Sequence, residues 1–218
     1  MKQKNLFVAA AVLLIVAFFV GAFYYQKQQA EQAAQMAAQN QVALVRADAP
    51  SFGNADAPVQ IVEFFDPACN TCRDFYPMVK ALMAEHPGKI RLSLRYAPFH
   101  PGSEPVVKAL EAARKQGQFR QTLEALFASQ NDWVQNHTAN VDSIWRHLDP
   151  LGLDLGRLQN DMNSPAIANM IARDLMDAKT LNVTMTPEYF VNGKPLPSFG
   201  FDQLKSLVGD ALVSTNAK

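Results

Sequence analysis

Val59-Gln-Ile-Val-Glu-Phe-Phe65-Asp-Pro-Ala-Cys69-Asn-Thr-Cys72-Arg-Asp-Phe-Tyr-Pro-Met-Val-Lys-Ala-Leu-Met-Ala-Glu85 decides the fold, because both cysteines of the chain sit there, three apart, between an apolar run and an amphipathic one. Val59–Phe65 is rich in β-branched and aromatic residues and bounded by Pro58 and Pro67, which predicts a buried strand. Beyond Cys72, the residues Phe75, Met78, Val79, Leu82 and Met83 recur at helical spacing, and Pro87-Gly88 ends the pattern. A cysteine in the first turn of such a helix meets unpaired backbone N–H groups and the positive end of the helix dipole, both of which favour a thiolate. Cys69 is therefore the candidate nucleophile. Cys72, three residues on and on the same face, is the candidate resolving thiol that attacks a mixed disulfide at Cys69.

Other uses of a C-x-x-C pair fit less well. A structural zinc site needs four ligands, and His86, His100, His137 and His147 show neither a second C-x-x-C nor an H-x₃₋₅-H pair. A purely structural disulfide here would close a tiny loop and constrain little of the unfolded chain. A copper(I) carrier using two soft thiolates is a rival from another class, although no Met-rich or His-rich stretch accompanies the pair. A second rival is a partner-binding protein with little turnover.

The 218 residues, 49% hydrophobic with 20 basic and 20 acidic side chains, suit one domain with a substantial core. Zero net charge and scattered Lys and Arg residues argue against nucleic acid as a partner. Residues 6–25 carry no charge over 20 positions and follow Lys2 and Lys4; as a helix they would span about 30 Å, enough to cross a bilayer with a cytoplasmic amino terminus. The same stretch also reads as a cleaved signal peptide, with small residues at Val20-Gly21-Ala22. Either reading, for residues 1–25, exports the remainder to a compartment that permits disulfide chemistry. Residues 26–51 form an Ala/Gln-rich helical stalk and linker. The 26–45 part has a weak apolar stripe that buries little, and copies could associate through it. Arg46–Pro58, with Pro50, Gly53 and Asn54, reads as linker and turn.

Ile90–Ala97 alternates strictly, with Ile90, Leu92, Leu94 and Tyr96 on one face, and predicts a second strand that completes a βαβ unit. From about residue 103 to 181 the pattern is helical: Ser103–Gly117 capped by Ser103, Phe119–Ser129, Val141–Leu148, and Ala166–Leu181 opened by Ser164-Pro165. Glu188–Val191, the hairpin signal Asn192-Gly193 and Lys194–Leu196 return to strand, and Gln203–Val213 is a last helix.

This order resembles the thioredoxin superfamily, and within it the DsbA-like exported thiol–disulfide oxidoreductases. Four features carry the resemblance: Ala57-Pro58-Val59 leading into Val62-Glu63-Phe64-Phe65, the Cys69–Cys72 pair at a helix start, the helical block, and Met185-Thr186-Pro187-Glu188-Tyr189-Phe190-Val191-Asn192-Gly193. It implies an α/β thioredoxin fold over residues 52–218, with a helical insertion between the βαβ unit and a C-terminal ββα unit. It further implies that Cys69 and Cys72 are the redox pair and that Thr186-Pro187 is the cis-proline loop pairing with substrate backbone. Glu63 would be the partly buried acid beneath the active-site helix, able to take a proton from Cys72.

Asn70 and Thr71 depart from the Pro-His that oxidising members commonly carry, so the charge of a neighbouring histidine is missing from the dipeptide. The expected activity is disulfide exchange with protein thiols, as oxidase or as reductase and isomerase, without metal or organic cofactor. The expected partners are protein thiols and disulfides and a membrane redox protein for recycling, in a periplasmic setting with residues 6–25 in the inner membrane.

Overall fold

The computed structural model describes residues 2–216, with the side chains of residues 2–12, 30, 33 and 216 outside the described set. The chain opens with α1 (Lys2–Leu44), β1 (Ser51–Gly53), β2 (Val59–Phe65), α2 (Asn70–Glu85) and β3 (Ile90–Tyr96). There follow α3 (Ser103–Arg114), α4 (Phe119–Ala128), α5 (Gln130–Trp133), the short hairpin β4 (Val134–Gln135) and β5 (Thr138–Ala139), α6 (Trp145–Leu148), α7 (Leu155–Met162) and α8 (Pro165–Thr180). The chain then returns to the sheet with β6 (Glu188–Val191) and β7 (Lys194–Pro195), and α9 (Phe201–Asn216) follows.

The main sheet has the order β1-β3-β2-β6-β7. β2 and β3 run parallel, with Val59 beside Ile90 and Phe65 beside Tyr96, while β6 lies antiparallel on the other side of β2, with Glu63 beside Tyr189. This is the thioredoxin arrangement, interrupted between β3 and β6 by α3 to α8. Successive β2 residues serve opposite faces. Ile61 and Phe65 join the larger core with α2 and the insertion helices, and Val62 and Phe64 join a smaller one with Leu44, Ala178, Val183 and Phe190. Each large side chain so buried contributes roughly 1.5–3 kcal/mol.

The Asn192-Gly193 expectation is met: both residues have positive φ, 47° and 85°, as a two-residue hairpin of this twist requires. Gly193 has a second reason, because a Cβ there would stand 2.6 Å from the Ala37 carbonyl oxygen, where α1 crosses the hairpin. Asn40 Nδ2 donates to the Gly193 carbonyl at 3.1 Å in the same contact.

Several local expectations are corrected. The stretch read as linker contains β1, which pairs antiparallel with β3. The stalk was expected to bury little, yet Ala37, Ala43 and Leu44 are buried. Alternation in β3 puts Arg95 on the opposite face from Tyr96, and that face is covered too. Arg95 is fully buried there, with Nη1 donating to the carbonyls of Ala43 and Leu44 at 2.8 and 3.0 Å and Nη2 paired with Asp174 and Asp177. A cation thus closes the carboxyl end of α1, where unpaired carbonyls and the helix dipole favour one. Ser103 is the first residue of α3 rather than its cap; the cap position is Gly102, and the Ser103 hydroxyl is used elsewhere. The hairpin Val134–Ala139 and helix α7 lie outside the helices expected from the sequence, although Leu155, Leu158 and Met162 of α7 recur at helical spacing.

Residues 6–25 lie within α1. Residues 6–12 fall outside the described side chains, and among the described residues no helix is long and apolar enough to cross a membrane.

Candidate active site

Helix α2 begins at Asn70, one residue later than a first-turn position for Cys69 requires, and this makes Cys69 the helix cap. Its backbone is extended (φ −77°, ψ 121°), and Sγ accepts from Cys72 N at 3.4 Å. A capping side chain takes up one of the unpaired N–H groups at a helix start, and here sulfur does what a Ser or Asp oxygen ordinarily does. The Cys69 thiol is accordingly lowered from 9.0 to about 6. The hydrogen bond from the Cys72 side chain is the largest cause, with Thr186, the Cys72 N–H and the His100 charge adding to it against the opposing effect of burial. Burial pushes the Cys72 thiol well above its ordinary value, helped by its hydrogen bond to Cys69 and the charge of Glu63. Both cysteines are free thiols. The two sulfurs are therefore chemically unequal: one ionises near neutrality, and the other keeps its proton.

Thr186-Pro187 is a cis peptide, and the Thr186 carbonyl oxygen lies 3.2 Å from Cys69 Sγ. The loop expected to face the dithiol does face it. Glu63 points into the core on the α2 side of the sheet, and burial raises its carboxyl from 4.5 to about 8, with the Cys69 charge pushing the same way. Tyr189, opposite it on β6, partly offsets that shift. Glu63 Oε2 and the Tyr189 hydroxyl are nevertheless both buried without a partner in hydrogen-bond geometry, so the two interact as neighbouring dipoles rather than as a formed bond. Asn70 is exposed and Thr71 half-buried, and Sγ meets Cys72 N and Thr186 O rather than the Thr71 hydroxyl.

Three residues that the sequence did not assign to the site, Asp66, His100 and Gln130, complete it. Asp66 is fully buried and accepts from Ala68 N and His100 N, each at 2.8 Å, and from Ser103 Oγ; its second oxygen lies 2.8 Å from His100 Nδ1. The Asp66 carbonyl also accepts from Cys69 N at 3.0 Å. Gln130, buried on α5, donates to the carbonyls of Pro67 and Cys69 at 2.9 and 3.1 Å. The dipeptide suggested that the thiolate has no cation beside it. The structure corrects this, because His100, from the loop after β3, acts on Cys69 with its charge. The Asp66-Pro67 step before the first cysteine was the one local signal, since an Asp there can hold its own turn; nothing local named His100 or Gln130.

A family model described as thioredoxin matches residues 45–210. The chain belongs to the thioredoxin superfamily, among its DsbA-like members. A thioredoxin-like oxidoreductase from Silicibacter pomeroyi DSS-3 superposes with a TM-score of 0.68 at 30% identity, covering 82% of this chain and 98% of that one. Oxidised BdbD from Bacillus subtilis superposes with a TM-score of 0.65 at 25% identity, covering 75% and 92%. Among curated relatives, the Na(+)/H(+) antiporter NhaA of Herminiimonas arsenicoxydans is 31% identical over 144 residues, which is 66% of this chain and 22% of that protein. The chain spans about a fifth to a quarter of the length of the curated relatives it matches. The DsbA-like fold is one that supports disulfide exchange. Among the described residues no cluster of three or more His, Cys, Asp or Glu side chains is arranged to hold a metal ion.

Proposed function

We propose that this DsbA-like chain is an exported thiol–disulfide oxidoreductase acting on protein thiols through Cys69 and Cys72. The observation that carries the reading is the inequality of the two thiols, Cys69 lowered to about 6 and Cys72 raised well above 9.0. In the oxidising direction a substrate thiolate attacks Cys69 Sγ of the Cys69–Cys72 disulfide, and the sulfur–sulfur bond breaks toward Cys72, which takes up a proton. A second substrate thiolate then attacks the substrate sulfur of the mixed disulfide and releases Cys69 as a thiolate. Two electrons pass from the substrate dithiol to the cysteine pair, so no organic cofactor is required. The reverse sequence reduces or isomerises.

Glu63 serves the Cys72 step. In the reduced protein the Cys69 thiolate helps hold the Glu63 carboxyl protonated. In the mixed disulfide that charge is gone, the carboxyl ionises more readily, and it can accept the Cys72 proton as Cys72 attacks. Thr186 and Pro187 present backbone to the substrate beside Sγ. A Cys69 value of about 6 lies between those of the strongest oxidant and of thioredoxin, ~3.5 and ~7, so the couple should fall between their potentials, at about −180 mV. Asn70 and Thr71 add no charge of their own to this position.

The uncharged run 6–25 supports export, and Leu13, Leu14, Phe18, Phe19 and Phe23, all exposed on α1, suit a tether in the membrane, where a redox partner could recycle the dithiol. Met36 and Val42, exposed on the same helix, support association of copies through the stalk, which sedimentation of the full chain tests.

The deciding experiment is alkylation of the reduced protein at neutral pH followed by mass spectrometry, together with turnover of a scrambled or reduced disulfide protein. Cys69 should be modified first, and Cys69→Ser should abolish turnover. Faster labelling of Cys72, or turnover that survives Cys69→Ser, would sink the assignment.

A further inference from the structure

We propose that His100, held by the buried Asp66 carboxylate, is a cation that tunes the redox poise of Cys69, supplying part of the charge that Asn70-Thr71 does not. The inference rests on the disulfide-exchange reading and adds a tuning residue to it. His100 comes from the loop after β3 and reaches the site through Asp66, which it meets twice, by its backbone N–H and by ring Nδ1, each at 2.8 Å. The backbone bond alone would fix the loop. The ring bond sets an imidazole with about a fifth of its side chain exposed against a carboxylate that is not exposed at all. Asp66 also receives the Cys69 N–H on its carbonyl and the Ala68 N–H on its carboxylate, so one residue holds both the cation and the chain that carries the nucleophile.

The groups against the His100 ring are Asp66 from the loop after β2 and His137 from the β4–β5 turn, whose ring stacks on it at 5.9 Å and 28°; Cys69, at the cap of α2, acts on it through charge. The Asp66 hydrogen bond is the largest influence and raises the imidazole above its ordinary 6.5; burial opposes it, and the charges of Asp66 and Cys69 add to it. His100 in turn lowers Cys69. The two titrations are thus coupled, and each ion holds the other. A thiolate so held stabilises the reduced form, which makes the disulfide more oxidising. When Cys69 enters a disulfide its charge disappears, and His100 should release its proton more easily. His100 acts through charge and does not touch the reacting sulfur of a substrate.

The test uses the full chain. His100→Gln keeps a donor for Asp66 without the charge, and His100→Lys keeps a charge without the ring. Thiolate absorbance against pH gives the Cys69 value, and equilibration with glutathione gives the potential. His100→Gln should raise the Cys69 value above about 6 and make the couple more reducing, by less than the ~20 mV, or about fivefold at pH 7, that a full unit would bring, because the His100 charge is the smallest of the influences on Cys69. His100→Lys should stay close to the wild type.

An unchanged Cys69 value in His100→Gln, or a His100→Lys variant that behaves as His100→Gln does, overturns the proposal. A second measurement needs no variant: the His100 ring, titrated by NMR in wild-type protein, should hold its proton to higher pH in the reduced form than in the oxidised form. Equal values in the two forms overturn the proposal as well. If the wild type fails to exchange with glutathione at all, the disulfide-exchange reading fails, while the thiolate titration still judges His100.

Discussion

Glu63 shows at the scale of one residue how a site works against the stability of its own fold. Its carboxyl is buried with one oxygen unpartnered, and burial lifts it from 4.5 to about 8. Between those values the folded state keeps a proton that the unfolded chain has lost, so stability falls as pH rises from about 4.5 to about 8. Glu63→Gln removes the titration. Measured by denaturant unfolding of the oxidised protein, where neither cysteine titrates and burial alone raises the Glu63 carboxyl, the stability of the variant relative to wild type should grow by up to about 2–3 kcal/mol between pH 5 and pH 7. A difference that stays flat with pH would mean that Glu63 ionises normally in the core. Glu63 was legible because its spacing from Cys69 matched the family pattern. Its partner Tyr189 was not, since 126 positions separate them and only the β2–β6 register brings them together.

Elements carry the next set of constraints. The carboxyl end of α1, strand β3 and helix α8 meet at Arg95, which binds two α1 carbonyls and two α8 carboxylates in a region without solvent. Removing one member of a buried ion cluster leaves uncompensated charge and costs about 3–5 kcal/mol. Arg95→Met should therefore lower unfolding stability by that order, with faster hydrogen exchange in the last turn of α1; a loss below 1 kcal/mol would show that the cluster adds nothing to the fold. Gln130 plays the corresponding part for the insertion, pinning the carbonyls of Pro67 and Cys69 from α5. Gln130→Ala leaves the Pro67 carbonyl without its donor, while the Cys69 carbonyl keeps Arg73 N at 3.2 Å; the expected cost is about 1–3 kcal/mol, and alkylation of the shielded Cys72 should speed up. The helical insertion is thus part of the site's scaffold. Its helices were readable from their apolar spacing, while their contacts with the cysteine loop were not.

For the whole molecule, the question is where the amino-terminal helix stops being an appendage. Among the described side chains of α1, Leu13, Phe18, Phe23 and Met36 are exposed, whereas Ala37 meets the Gly193 hairpin and Ala43 and Leu44 are buried. A chain beginning at residue 37 should unfold at nearly the temperature of the full one. A chain beginning at residue 46 loses the carbonyl partners of Arg95 and should melt several degrees lower, at roughly 2–4 °C per kcal/mol for a protein of this size. Equal melting of the two truncations would show that the α1 contacts are not part of the cooperative unit.

The sequence by itself determined the strand–helix–strand start, the helical block, the terminal hairpin and helix, and the identity of the two thiols. Each of these is written in neighbouring residues, as a period, a turn signal or a spacing of three. Tertiary structure alone decided that Cys69 caps its helix instead of lying within it, that Arg95 is buried, and that His100 and Gln130 close on the cysteine loop. The places of Arg95, His100 and Gln130 depend on charges and hydrogen-bond donors brought together across 30 to 80 positions of chain. The interaction of a charge is set by distance and burial, and neither is encoded in the local pattern of apolar and polar residues.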